Sequence, residues 1–210
     1  MQILAMFSMF ADHTGKIFFP DVILWQLIGR MAFPIYCYFI VIGYQRTSNL
    51  NKYFSRLFLL GLVSQIPYML ALRVQGINAI GTLFLSLAVL YALDQIKSKG
   101  LKAGIVILGG FLLEFLTFDY GSYGLLLVLI FRYTKGHKMV GAHYLLNIAF
   151  LFYKGWLLQL ASVVISAVIA YTPSLIRWTE RVRVPRWLWR SFYPAHFVFL
   201  FLLALLVQKS

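Results

Sequence analysis

Acidic residues are scarce in this chain: its 210 residues include six Asp and Glu against nineteen Lys and Arg, and only 12% are charged. A soluble domain of this length carries about twice that share of charge to cover its surface, so a water-exposed globule is excluded. Cysteine is nearly absent. Lone Cys37 excludes an intramolecular disulfide and any multi-cysteine metal site. There is no Gly-rich phosphate loop, no His/Cys set at zinc spacing and no Gly-x-Ser-x-Gly elbow, so no bound metal is expected. No internal repeat, low-complexity linker or shift in composition divides the chain, and residues 1–210 read as a single domain. The first apolar run has neither a basic leader nor a small-residue cleavage site and reads as a retained helix.

What is present is apolar surface. Hydrophobic residues make up 61% of the chain and aromatics 18%, with a mean hydropathy of +0.82. The fold class that follows is all-α, a polytopic helical bundle integral to a lipid bilayer. A span needs about 20 apolar residues, fewer where helices are buried among others. About nine runs qualify: 2–19, 22–44, 55–72, 78–95, 102–118, 121–133, 139–153, 156–172 and 190–208. The sixth and seventh are short and read equally well as re-entrant elements.

A net charge of +13 raises the question of nucleic acid, but the basic residues fall in short gaps between apolar runs, and nucleic acid is excluded as a partner. Alternate gaps hold Arg46, Lys52 and Arg56; Lys97, Lys99 and Lys102; Arg132, Lys135 and Lys138; and Arg177, Arg181, Arg183, Arg186 and Arg190. The opposite side has Lys16, Arg73, Lys154 and Lys209. The positive-inside rule then places the N-terminus in the cytoplasm and the C-terminus outside.

Ionisable residues inside apolar spans cost several kcal/mol unless they meet each other, a cavity or water. Asp12-His13 interrupts the first apolar run, and Arg30 follows about one span later. Asp12-His13 is either an ordinary helix terminus or the start of a polar site. Neighbours on a helix point about 100° apart, so both face one cavity only where the helix frays. His13 is the natural general base, with Asp12 to orient it or to hold a cationic acceptor. Pro34 has no N–H for the Arg30 carbonyl, which leaves a free acceptor and a kink beside the guanidinium, a corner suited to a phosphate, a carboxylate or a thioester oxyanion. Pro67 repeats this logic beside Ser64 and Gln65. Asn78 and Thr82 share a helix face and serve either as interhelical contacts or as ligands. Asp119-Tyr120-Gly121 is a turn, Glu114 lies deeper and is placed to pair with Arg30, and the Gly15, Gly29 and Gly109-Gly110 positions suit close helix contacts. Under the expected topology these residues fall toward the outer ends of consecutive spans. His196, after Tyr193-Pro194, enters from the cytoplasmic end of the last span. His137 and His143 read as loop and interface residues.

The strings "LAMFSMFADHTGKIFFP", "IGRMAFPIYCYFIVIGYQRTSNLNKYFSRLFLLGLVSQIPY", "IN..GTLFLSLA", "FDYGSYGLLLVLIF" and "FYPAHF" occur in this order. Together they resemble the TraX family, over nearly the whole chain and most specifically in its first 125 residues. The resemblance implies an inner-membrane acyltransferase of the kind that N-acetylates conjugative pilin, using acetyl-CoA (acyl-CoA) as donor substrate with no covalently bound cofactor. It carries His13, Asp12 and Arg30 over as catalytic, and Gln65, Asn78, Thr82, Asp119, Tyr120, Tyr193 and His196 as donor- or substrate-binding. The pilin substrate is not carried over; the acceptor is left as an amine or hydroxyl on a protein N-terminus, glycan or lipid. Direct attack and an acyl relay from His196 to His13 are both open. Two rivals stand beside this reading: a small transporter or channel, whose path charged residues also line, and a non-catalytic membrane assembly factor.

Overall fold

In the computed structural model, which describes residues 1–172, 174, 179 and 184–207, the regular elements are all helical. Arg177, Arg181, Arg183, Lys209 and the last residue of the 190–208 run lie outside the described residues. The helices are α1 (Gln2–Phe18), α2 (Ile23–Gly29), α3 (Ala32–Arg46), α4 (Leu50–Leu72), α5 (Ala79–Gln95), α6 (Lys99–Phe115), α7 (Gly121–Tyr133), α8 (Gly136–Lys154), α9 (Val163–Tyr171) and α10 (Arg186–Val207), with a 3₁₀ turn at Leu157–Ser162 before α9.

Local chemistry sets several of these boundaries. The run expected as one span over 22–44 is two helices, α2 and α3, separated at Arg30-Met31. Pro34 withholds the donor that the Arg30 carbonyl needs, and the chain tightens there, with Met31 N donating to Ile28 O at 3.2 Å in place of a full α-turn. α4 starts five residues earlier than the apolar run at 55, because Asn49 caps it by accepting from Lys52 N at 2.9 Å. α10 likewise starts at Arg186, four residues before the run at 190, and continues through Pro194.

The outward faces are apolar. Ile66, Ile107, Phe115 and Phe152 are more than two-thirds exposed, whereas Ser64, Asn78, Thr82, His143 and Asn147 are buried. That inversion is the mark of a membrane protein, whose solvent is hydrocarbon. Among the described residues, three helical stretches are long and apolar enough to cross a bilayer: Ile23–Arg46, taken across its break, Leu50–Leu72 and Arg186–Val207. Ala79–Gln95, Gly121–Tyr133 and Leu157–Tyr171 are apolar but shorter. Helix lengths therefore do not reach the expected nine spans.

The first and last described helices meet at the centre. α1 packs on α2, α3, α4 and α10, α10 packs along α4, and α7 is enclosed by α3, α5, α6 and α8. α1 and α10 run parallel: Val184 N donates to Gln2 Oε1 at 3.4 Å near their starts.

At one end of the bundle, two loops are tied together. Ile77 N donates to Thr117 O at 3.2 Å and Asp119 N to Ile77 O at 2.7 Å, joining the α4–α5 loop to the α6–α7 turn. Gln65 and Asn78 hold this junction. Gln65 Nε2 donates to Gly76 O at 2.9 Å, and its Oε1 accepts from Asn78 Nδ2 at 2.8 Å. Asn78 Nδ2 also reaches Gly61 O at 2.7 Å, while Asn78 Oδ1 caps α5 by accepting from Ile80 N at 3.0 Å and Gly81 N at 3.2 Å. Truncating Asn78 leaves several of these buried groups unpaired, so Asn78→Ala is expected to lower stability by about 1–3 kcal/mol. Asn78→Asp, which keeps the cap acceptor, should recover part of that loss. Thermal unfolding of the two purified variants in one detergent checks the order.

Candidate functional site

α1 is buried on most of its circumference around Asp12 and His13. Two glycines allow this. Gly15 faces Trp25 and Gly29 faces the Asp12 side chain so closely that a Cβ at either position would collide, so α2 folds back directly onto α1. Asp12 and His13 both line one cavity, although α1 stays helical to Phe18. The expected fraying is unnecessary, because the enclosed helix buries both directions. Gly29, Phe33, Asp119, Tyr120 and Tyr193 also line this cavity of about 30 Å³, space for one or two waters.

The Asp12 carboxylate lies between two cations. Lys16 Nζ is 2.5 Å from its Oδ2, one helical turn on, and Arg30 is 3.5 Å from its Oδ1. Arg30 therefore pairs with Asp12 and not with Glu114, as its position in the sequence suggested. Glu114 is instead taken by Lys154 at 2.7 Å and by Ser122, whose amide and hydroxyl both donate to it. Arg30 Nε is buried with no hydrogen-bond partner.

His13 Nδ1 and His196 Nε2 are 2.7 Å apart, and their rings stack with centroids 5.0 Å apart. The placement of His196 at the cytoplasmic end of the last span is thereby corrected. With α10 starting at Arg186, His196 lies ten residues along it, level with His13 at eleven residues along the parallel α1. The hydrogen-bond chain also fixes the tautomers of a neutral pair. A carbonyl only accepts, so His196 Nδ1, 2.9 Å from Phe192 O, carries a proton. Its Nε2 is then an acceptor, His13 Nδ1–H is the donor, and His13 Nε2 keeps its lone pair. That nitrogen is 3.8 Å from Asp12 Oδ2, too far for a hydrogen bond but close enough to favour a proton arriving there.

The remaining expected residues divide in two. Asp119, Tyr120 and Tyr193 join the cavity wall, with Tyr120 stacked on Phe33 at 3.6 Å between centroids. The turn that presents Asp119 and Tyr120 is held in unusual backbone: Thr117 and Tyr120 have φ of 51° and 63°, in the left-handed region that non-glycine residues rarely occupy. Gln65, Asn78 and Thr82 are not in the wall. Thr82 Oγ1 donates to the Asp119 carbonyl and, like the two amides, braces the turn, so these polar atoms are already committed to the backbone. In this structure these three brace the turn from outside the cavity wall. Among the described residues no group of three His, Cys, Asp or Glu is placed to hold a metal.

The family profile described as "TraX protein" matches residues 1–204. The chain belongs to the TraX family. Over 191 residues it is 27% identical to a protein of Dichelobacter nodosus described as "Probable fimbrial assembly protein FimC, serogroup H1", covering 84% of this chain and 75% of that relative. Over 66 residues it is 32% identical to an uncharacterised protein of Rickettsia prowazekii (strain Madrid E), covering 31% of this chain and 25% of that protein. No solved structure matches.

Two features of this TraX-family chain escaped the sequence reading. Lys16 belongs to the site; its i,i+4 spacing from Asp12 was the available signal. His143 is no interface residue but fully buried, with Nδ1 2.5 Å from Ser166 Oγ and Nε2 2.9 Å from Tyr123 Oη. Asn147, Gln159 and Ser162 complete that network and join α7, α8 and the 3₁₀ turn, partners too distant in sequence to be read from spacing.

Because Gly29 meets the Asp12 side chain, Gly29→Ala should push the carboxylate off its cations. A loss of about 1–3 kcal/mol is expected, as for an overpacked interior. Gly104→Ala, where a Cβ would meet open space, is the matched control. Denaturation of both variants in detergent measures the difference.

Proposed function

We propose that this protein is an integral membrane acyltransferase that moves an acetyl group from acetyl-CoA to an amine or hydroxyl acceptor. The observation that carries this reading is the His13–His196 pair, a base whose proton-accepting nitrogen is left free beside a carboxylate. The acceptor's N–H or O–H proton passes to His13 Nε2 as its nitrogen or oxygen forms a bond to the thioester carbonyl carbon. His196, accepting from His13 Nδ1, holds the ring and its tautomer, while Asp12 stabilises the imidazolium so formed. Arg30 and Lys16 supply positive charge for the oxyanion of the tetrahedral intermediate. The C–S bond then breaks and the CoA sulfur takes the proton back from His13. Asp12, already between two cations, acts as an electrostatic partner and not as the base.

The same reading keeps the nine spans, with the shorter helices crossing as part of a packed bundle in the bacterial inner membrane. The N-terminus is cytoplasmic and the C-terminus external, which puts the His13 cavity toward the outer side. The donor is made in the cytoplasm, so its pantetheine arm must thread the bundle from the basic side. Topology reporters fused after Lys99 and Lys138 should read cytoplasmic and one after Thr117 external. Opposite readings at Lys99 and Thr117 would reverse the orientation.

A second reading, a non-catalytic membrane assembly factor, is favoured by the description of the Dichelobacter nodosus relative as a probable fimbrial assembly protein. Activity separates the two. Purified wild type given radiolabelled acetyl-CoA and membrane components should move label onto an acceptor, and His13→Ala should cut the rate about 10²–10⁴-fold while the protein stays folded. His196→Gln, whose amide oxygen can still accept from His13 Nδ1, should retain more activity than His196→Ala. Equal loss in both would support a relay through His196 instead. Near-normal activity in His13→Ala with none in Asp12→Asn would make the carboxylate the base.

A further inference from the structure

The cavity at His13 changes character along its depth. Among the described residues, the polar part of its lining, Asp12, His13, Asp119 and Tyr120, forms one layer, and Met9, Tyr36 and Leu83 lie one helical turn further in. Met9 precedes Asp12 by three residues on α1, Tyr36 follows Ala32 by four on α3, and Leu83 follows Ala79 by four on α5. These steps point the same way in space. α3 runs against α1, since Ala5, ahead of Asp12, packs with Ile35 and Phe39. α5 runs alongside α3, since Tyr44 near the end of α3 bonds Asp94 near the end of α5 at 2.9 Å. The Tyr36 ring stacks on Trp189 at 5.4 Å between centroids, leaving Met9 and Leu83 as the floor. They are 5% and 2% exposed and belong to the main core, as does Leu87 one turn beyond, so the floor is backed by packed side chains.

Size and chemistry narrow what seats there. The cavity's 30 Å³, room for one or two waters, is also room for a methyl group and a carbonyl oxygen, which an acetyl thioester carries on its reacting carbon. The carbonyl oxygen needs the polar layer, whereas the methyl group needs no partner and suits the floor. Seated so, the reacting carbon faces the acceptor that His13 Nε2 activates beside Asp12. A longer chain has to enter volume that Met9 and Leu83 already fill. We propose that Met9 and Leu83 set the acyl length of the site, closing it behind an acetyl group and excluding longer chains. A closed floor also means that the pantetheine arm joins the polar layer from beside these two side chains and not through them. The proposal rests on the acyl-transfer reading for the reaction, and on the floor alone for the selectivity.

The test is an internal competition. The full chain in detergent is given a bacterial inner-membrane extract as acceptor and an equimolar mixture of acetyl-CoA and butyryl-CoA carrying different isotope labels. Label transferred without the protein is subtracted, and the ratio of the two labels transferred gives the ratio of their kcat/KM values whatever the acceptor. Wild type should favour acetyl by about 10²-fold or more, the discrimination expected when extra methylenes meet a filled pocket. Met9→Ala and Leu83→Ala should each lower that preference about tenfold, chiefly through faster butyryl transfer. A variant that folds poorly loses both rates alike, so the ratio still reads the floor. Leu87→Ala empties as much core volume as Leu83→Ala but does not line the cavity, and should leave the ratio as in wild type. Wild type that moves butyryl as readily as acetyl would overturn the floor and spare the enzyme. So would an acetyl preference unchanged in both Met9→Ala and Leu83→Ala. An equal shift in Leu87→Ala would overturn the floor as well, marking a general loosening of the core. Wild type that transfers neither label would remove the enzyme, and the proposal with it.

Discussion

The hydrogen bond between His13 and His196, 2.7 Å long and 183 residues apart in the chain, closes the bundle on itself. Two polar rings facing hydrocarbon would each cost several kcal/mol. Facing each other, they satisfy that need and fix which helices are neighbours. Once α1 and α10 are parallel and level, His13 is held from one side by His196 and approached from the other by Asp12, with Lys16 and Arg30 completing the charge balance. The break at Arg30-Met31 has the same logic. A continuous helix from Ile23 would leave the Arg30 carbonyl unpartnered before Pro34, so the chain tightens beside the charge.

Much of this was legible in the sequence because buried polarity is rare in such a chain. Asp12, His13 and Arg30 stand out against apolar neighbours, and Pro34 explains locally why the helix yields where it does. What spacing cannot give is height and partnership. His196 looked misplaced because apolarity alone started the last helix at residue 190, whereas Trp187 to Trp189 carry it back to Arg186 and lift the histidine level with His13. Glu114 and Arg30 seemed natural partners as lone opposite charges, but Lys154 takes the first and Asp12 the second. In Gln65, Asn78 and Thr82 the presence of polarity was legible and its purpose was not, since backbone groups brought in by two loops consume it.

Two polar centres result, of different character. The Tyr123–His143–Asn147 network is fully buried, with its hydroxyls and ring nitrogens paired across α7, α8, the 3₁₀ turn and α9, although Gln159 Oε1 beside them has no partner. It acts as interhelical mortar. The His13 centre differs in keeping room beside it and a nitrogen without a hydrogen bond, within a wall presented by a turn held in left-handed backbone. Unspent polarity next to space is what distinguishes a site from a brace in this bundle.

The central claim is that His196 leaves His13 with a proton on Nδ1 and a lone pair on Nε2. Nitrogen NMR of protein labelled at its four histidines tests it directly, with His13 assigned by substitution. The account expects His13 protonated on Nδ1 and bare on Nε2 near neutral pH, and expects that preference to vanish in His196→Ala. A His13 carrying its proton on Nε2, unchanged by removing His196, would contradict it.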